Sequence, residues 1–287
     1  MTSLSLPLLV PTSWLATRLG EPGLVLLDAS WYLPTSGRDP RAEYRASHVP
    51  GAVFFDLDAS SDPDAKLPHM LPTADQFGRF AGGLGVGSDS RVVVYDGSGT
   101  NISAARAWWM FRYFGHRAVA LLDGGIERWR AEGRPLEAGE VTPAVRSFLV
   151  TRDSTQVRDM DEVQSALDRG TAQVVDMRSA GRFRGTDPEP RPNLPSGHMA
   201  GAINLPYNEL VHPDGTALSE DELLARLAAA GIRLDRPIIA TCGSGTSACT
   251  LLHALERLGR PDGALYDGSW TEWAGSGMPI VREEVAQ

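Results

Sequence analysis

A cysteine acts as a nucleophile only as its thiolate, so its chemistry depends on what surrounds it. The chain has two cysteines. Both lie in Thr241-Cys242-Gly243-Ser244-Gly245-Thr246-Ser247-Ala248-Cys249. Pro237-Ile238-Ile239-Ala240-Thr241 before it is a continuous apolar run, the pattern of a strand buried on both faces. Ala248, Leu251, Leu252, Leu255 and Leu258 then recur at helical spacing until Gly259, a glycine that can end a helix. Cys242 is thus expected at the carboxyl end of a strand, facing a helix N-terminus, where negative charge is stabilised. Its pKa is expected to fall below the free value of ~8.5. Gly243, Ser244, Gly245, Thr246 and Ser247 let the loop curl so that backbone N–H groups point at the sulfur as an anion nest. Cys249, further along the helix, reads as a small core residue.

Two other chemistries use a strand, a loop and a helix. A phosphate-binding P-loop ends in Gly-Lys-Ser/Thr, which is absent here. A cysteine phosphatase needs an arginine six positions after the cysteine, where this chain has Ala248. Six histidines and two cysteines form no recognisable ligand spacing, so neither a metal nor an organic cofactor is expected. A net charge of -9 argues against nucleic acid as a partner. An anion site in so acidic a chain must concentrate its positive charge locally. No apolar run approaches the ~20 residues of a membrane span. Residues 1–10 have an apolar patch but no basic flank and do not read as a signal peptide. With so few cysteines, a reducing cytoplasm is the expected compartment.

The elements that must position Cys242 occur twice. Val92-Val93-Val94-Tyr95-Asp96-Gly97-Ser98-Gly99-Thr100 matches Ile238-Ile239-Ala240-Thr241-Cys242-Gly243-Ser244-Gly245-Thr246, with Asp96 at the place of Cys242. Ala120-Leu121-Leu122-Asp123-Gly124-Gly125 with Trp129 matches Ala264-Leu265-Tyr266-Asp267-Gly268-Ser269 with Trp273. His48-Val49-Pro50-Gly51-Ala52 matches His198-Met199-Ala200-Gly201-Ala202 in the same order. One domain duplicated in tandem accounts for this. Each half alternates short apolar strands with helices, expected at 12–19, 74–84, 103–114 and 126–132 in the first half. Ser219 with Glu222, and Asp159 with Glu162, open helices in the second. The expected fold is α/β, a tandem duplication in which each domain is a mainly parallel sheet flanked by helices. The division is residues 1–140, a linker at 141–155, and a catalytic domain at 156–287. Ligands of such sheets bind at the strands' carboxyl ends, where Cys242 is placed.

The recurring segments, with Trp108-Trp109-Met110, Ser196-Gly197-His198 and Tyr266-Asp267-Gly268-Ser269-Trp270, resemble the two-domain rhodaneses over nearly the whole chain. Among these, the chain is similar to the 3-mercaptopyruvate sulfurtransferases. The resemblance implies that the second domain alone carries the nucleophile, Cys242, which forms a persulfide. It implies a mercaptopyruvate donor because Gly243-Ser244-Gly245 follows the cysteine, where thiosulfate-preferring members carry basic residues. Thr246-Ser247 departs from the usual Val-Thr. Arg182 and Arg191 match the family's substrate-binding positions, where a planar guanidinium suits a carboxylate, and the loop residues Gly243, Gly245, Thr246 and Ser247 are expected to bind substrate with them. A relay of Ser244, His69 and Asp58 is also implied, with Ser244 polarising the ketone or passing a proton and Asp58 orienting His69.

The expected activity is sulfur transfer from 3-mercaptopyruvate through a Cys242 persulfide to a thiol acceptor such as thioredoxin, or to cyanide, with release of pyruvate. The alternatives are a thiosulfate:cyanide sulfurtransferase and, from another class, a non-catalytic sulfur-binding or regulatory module.

Overall fold

The computed structural model describes residues 6–283, so part of the apolar stretch at residues 1–10 lies outside it. The elements follow one another as β1 (Leu9–Val10), α1 (Thr12–Ala16), β2 (Leu24–Asp28), α2 (Pro40–Ala46), β3 (Val53–Phe54), α3 (Ala74–Gly83), β4 (Arg91–Tyr95), α4 (Ile102–Tyr113), β5 (Val119–Leu122) and α5 (Gly125–Ala131). The second series is β6 (Val157–Arg158), α6 (Met160–Arg169), β7 (Gln173–Asp176), α7 (Ala180–Arg184), β8 (Ile203–Asn204), α8 (Glu220–Ala229), β9 (Ile238–Thr241), α9 (Ala248–Arg257), β10 (Ala264–Tyr266) and α10 (Ser269–Gly275).

Each series builds a five-stranded sheet, β1-β5-β4-β2-β3 in the first and β6-β10-β9-β7-β8 in the second, and every pairing is parallel. The central strands β4 and β9 are buried along their apolar lengths, as continuous hydrophobic runs require. Registers such as Asp28↔Tyr95 and Asp176↔Thr241 bring the strands' carboxyl ends level, so both loops of the internal repeat open on the same edge of their own sheet.

The apolar core of the first sheet includes Val93, Ala120, Ile126 and Trp129, and that of the second includes Ile239, Tyr266, Trp270 and Trp273. Burying an indole contributes roughly 4–6 kcal/mol by area alone. Each equivalent tryptophan also satisfies its N–H: Trp129 Nε1 donates to Pro135 O and Trp273 Nε1 to Pro279 O. The Asp159/Glu162 and Ser219/Glu222 signals are complete capping boxes, as is Thr73/Gln76. Helix α1 stops three residues short of the expected end. There the Thr17 hydroxyl turns back to Trp14 O and competes with the helical pattern.

The residues cluster into two compact units that do not follow the halves of the sequence strictly. One takes the chain as far as Ala65, then Leu71–Asp153 and Val211–Ala217; the other takes Lys66–Met70, Ser154–Leu210 and the chain from Leu218 onward. Two short arms are therefore exchanged, and they occupy equivalent places in the repeat. Much of the stretch read as a linker also belongs to the first unit. Phe148 is buried against Phe77, and Arg146 N donates to Gly82 O.

Candidate active site

Cys242 follows β9 and is 2% exposed. Its loop is held from beneath by Ser269, at the start of α10. The Ser269 hydroxyl accepts from Cys242 N at 3.2 Å and Gly245 N at 3.0 Å, and donates to Tyr266 O. Two loop amides are therefore committed to Ser269, whereas the sequence reading aims the loop's amides at the sulfur. Trp270 N donates to Cys242 O, and Thr271 donates to Gly243 O through both its amide and its hydroxyl. Ser269 takes this position at a φ of +52°, a conformation rare outside glycine, and the equivalent residue of the first unit is Gly125. Helix α9 begins at Ala248, with Cys249 N and Thr250 N bonded to Thr246 O and Ser247 O. Ser247 occupies its N-cap position without a side-chain cap bond. Cys249 is fully buried and its thiol donates to Gly245 O.

Two cationic side chains gather beside the loop, and a third, Arg178, braces them through Glu189. Arg191 Nη2 donates to Ser244 Oγ at 3.1 Å. A side chain at Gly243 would begin 3.1 Å from Arg182 Nη2 and 3.5 Å from Arg191 Nη1, so both guanidiniums reach the residue after the cysteine. Glu189 fixes Arg182 through a 2.6 Å ion pair and also accepts from Arg178 at 2.7 Å. Arg178 is fully buried: it grips Asp176, donates to Gly197 O and stacks on Trp270 at 4.1 Å. Burial works against its charge, but Asp176 and Glu189 outweigh that and hold its pKa above the ordinary arginine range.

His69 reaches this loop on the arm Lys66–Met70, which belongs to the same compact unit. Its Nδ1 lies 3.0 Å from Ser244 Oγ and 3.1 Å from Thr246 Oγ1. Arginine can only donate, so Ser244 Oγ accepts from Arg191 and keeps its own hydrogen for His69 Nδ1 or for a bound molecule. His69 adopts a φ of +61°; the residue at the equivalent place on the other arm is Gly215, with a φ of +80°. Asp58 is built into the first unit, where its carbonyl accepts from Ser61 N and it lines a 230 Å³ cavity with Gln76, Arg79 and Phe80.

The second unit thus brings together Cys242, Gly243, Ser244, Gly245, Thr246, Ser247, His69, Arg182 and Arg191 around one loop. Ser269, Glu189 and Arg178 join them without having been singled out by sequence. Glu189 stands between the two arginines in a proline-rich run, and its acidic charge there is the one sequence clue to the ion-pair chain. Among the described residues no cluster of His, Cys, Asp and Glu could hold a metal ion, and no helix is long and apolar enough to cross a membrane. The arrangement can hold an anionic small molecule by its carboxylate with its reacting atom at a buried sulfur.

A family model for the rhodanese-like domain matches residues 11–132 and again 159–276. The human 3-mercaptopyruvate sulfurtransferase is 44% identical over 271 residues, covering 92% of this chain and 91% of that one. The thiosulfate sulfurtransferase of Bos taurus is 42% identical over the same shares of the two chains. Among solved structures, SseA from Escherichia coli, described in a study of 3-mercaptopyruvate sulfotransferases, superposes with a TM-score of 0.84 at 39% identity, covering 92% of this chain and 99% of that one.

Proposed function

The chain belongs to the rhodanese family, and from that premise we propose that it is a sulfurtransferase that takes sulfur from 3-mercaptopyruvate onto Cys242. The observation that carries the choice of donor is the meeting of Arg191 with Ser244 beside Gly243-Ser244-Gly245. The positive charge reaches the cysteine from a separate segment, spaced for a carboxylate some atoms from the sulfur, and the loop itself has no cation.

In the proposed reaction Cys242 thiolate attacks the substrate sulfur. A sulfur–sulfur bond forms, the carbon–sulfur bond breaks, and its electron pair leaves with the carbon as the enolate of pyruvate, which takes up a proton to give pyruvate. Arg182 and Arg191 hold the carboxylate, and Ser244 donates to the oxygen on which the enolate's charge gathers. His69 exchanges the proton with Ser244, a step supported by their 3.0 Å separation. A thiolate of an acceptor such as thioredoxin, or cyanide, then attacks the outer sulfur and Cys242 thiolate leaves. A reducing compartment, which we take to be the cytoplasm, suits a nucleophile of this kind and the two free cysteines of the chain.

Initial rates with 3-mercaptopyruvate and thiosulfate, each with thioredoxin or cyanide as acceptor, test the proposal. Mercaptopyruvate should be favoured in kcat/KM by at least about 10-fold, the value of one good charged contact. A preference for thiosulfate would replace the donor assignment. Failure of any donor to add sulfur to Cys242 in the intact mass would leave only the non-catalytic reading.

A further inference from the structure

The two compact units share a landmark that exposes what the second has gained. Tyr44 stacks on His48 in the first, with His48 Nδ1 bonded to Tyr44 O. Phe183 stacks on His198 in the second, with His198 Nδ1 bonded to Phe183 O. The first pair is four residues apart and the second fifteen, so eleven extra residues lie between equivalent points. That extra loop, 186–196, carries Glu189 and Arg191.

Its two ends are pinned by the same side chain. The loop leaves Gly185 at a φ of +88° and rejoins the fold at Gly197, with a φ of +127°. A Cβ at Gly185 would lie 3.0 Å from Arg282 Cγ, and one at Gly197 would lie 3.1 Å from the same atom. Arg282 Nε donates to Ser196 O at 3.0 Å. Around this contact the backbone of the C-terminal segment is common to both units. His198 and Val281 form an antiparallel bridge, as His48 and Glu137 do, and Glu283 N donates to Arg184 O as Gly139 N donates to Arg45 O. The residue equivalent to Arg282 is Ala138, in a unit with no extra loop to hold. The backbone bridges belong to the fold, whereas the Arg282 side chain accompanies the insertion.

We propose that Arg282 is a positioning residue: its stem and Nε staple the two roots of the 186–196 loop and so set Arg191 against Ser244. The proposal deepens the reading of this loop as the carboxylate site and rests on it. Arg282 acts through Arg191 and touches no reacting atom. Losing it loosens the grip on the donor and leaves the Cys242 chemistry alone.

The test uses the full chain with Arg282→Ala, Arg282→Lys, Arg191→Ala and the Arg282→Ala/Arg191→Ala pair. Arg282 is exposed, so its truncation spares the core. Arg282→Ala should raise KM for 3-mercaptopyruvate about 3- to 10-fold with kcat within about 2-fold, less than removal of Arg191 itself, because the guanidinium that binds the carboxylate is loosened and not lost. Arg282→Lys keeps a stem over both glycines and an ammonium for Ser196 O, and should recover most of that loss. In the Arg191→Ala background the Arg282→Ala change should add nothing, because the group it positions is gone. Amide exchange across 186–196 should quicken in Arg282→Ala and elsewhere stay as in the parent. Unchanged exchange in the loop, or an equal KM increase with and without Arg191, overturns the staple. If the parent takes no sulfur from mercaptopyruvate, the donor reading has failed, and the exchange measurement still decides whether Arg282 holds the loop.

Discussion

The loops after β4 and β9 have the same length and use the residue at the strand's end in opposite ways. Asp96 turns its carboxylate into the helix that follows: one oxygen accepts from Ser103 N, Ser103 Oγ and Ala104 N, and the other from Ser98 N and Ser98 Oγ. It is an anion bound by the chain itself, and it satisfies amides that a helix N-terminus leaves without partners. In the second unit the equivalent amides, Cys249 N and Thr250 N, bond to loop carbonyls, so the side chain at 242 is not needed as a cap. The neighbours differ in the same sense. Arg38 donates to Gly97 O and is engaged by Glu43 and by the ring of Tyr32, whereas Arg182 and Arg191 reach Gly243 and Ser244. A thiol thus stands where the first unit has an internal anion, and of the two arginines beside it Arg182 comes from α7 while Arg191 arrives on an inserted loop.

The largest expected effect breaks this contrast at its centre. Cys242→Ser should lower sulfur transfer by ~1,000-fold or more, as loss of a covalent nucleophile does. Exposure to mercaptopyruvate should add ~32 Da, one sulfur, to the parent and to Cys249→Ser but not to Cys242→Ser. Moving the thiol to the other loop, as Cys242→Ser with Asp96→Cys, should restore nothing, because that loop's cation is already held by Glu43. Activity in that double variant would show that the loops differ in little more than one residue.

Next come the cations. Arg182→Ala and Arg191→Ala should each cost ~1.5–3 kcal/mol of transition-state binding, about 10- to 150-fold in kcat/KM for mercaptopyruvate. Thermal midpoints should move little for Arg191→Ala and more for Arg182→Ala, which leaves the buried Glu189 short of a partner. Parent-like kcat/KM at low substrate for either variant would make that arginine a bystander.

A smaller effect concerns stability. Asp28 and Asp176 end equivalent strands, but Asp176 has Arg178 where Asp28 has Ser30. Burial, only partly countered by the Ser30 hydrogen bonds, raises the Asp28 pKa from 3.8 to about 6. A folded-state pKa above the unfolded value means that the folded chain favours the proton. The ionised group therefore weakens the fold above pH 6, and that penalty is relieved as pH falls through 6 toward 4. Asp28→Asn should stabilise the protein by about 2 kcal/mol at pH 7.5 and by far less at pH 4.5 in urea titrations. Equal effects at the two pH values would remove the carboxylate from the account.

Smallest is Thr246→Val, which keeps shape and removes one of the two hydroxyls on His69 Nδ1. One neutral hydrogen bond is worth ~1 kcal/mol, so turnover should fall about 2- to 5-fold, with Thr246→Ser close to the parent. A Thr246→Val variant with parent turnover would leave Ser244 as the partner that matters.

The duplicated α/β architecture was legible because strand and helix periods, caps and the two matched loops are local patterns that repeat in order. So was the placement of Cys242, since it sits in a run whose residue types and flanks announce a strand–loop–helix turn. Ser269 escaped notice because it acts 24 to 27 residues from its partners, and its replacement of Gly125 looks conservative until its backbone angle is known. The Glu189 ion-pair chain escaped because charges in a proline-rich run look like surface charges, and burial is not a property of sequence. Likewise, the segment read as a linker carries Phe148, whose burial depends on α3, more than sixty residues earlier.

The exchanged arms set an order of events during synthesis. His69 leaves the ribosome early, and Ser244 follows 175 residues later, about 10–35 s at usual elongation rates. Over that interval Lys66–Met70 has no Cys242 loop to meet. The first unit meanwhile lacks Val211–Ala217, whose Ala217 N closes on Asp123 and whose Asp214 pairs with Arg128. Neither unit can be completed from its own half of the message, and a nascent chain stalled between them holds two unfinished folds. The Cys242 loop thus gains His69 only when nearly all of the polypeptide exists.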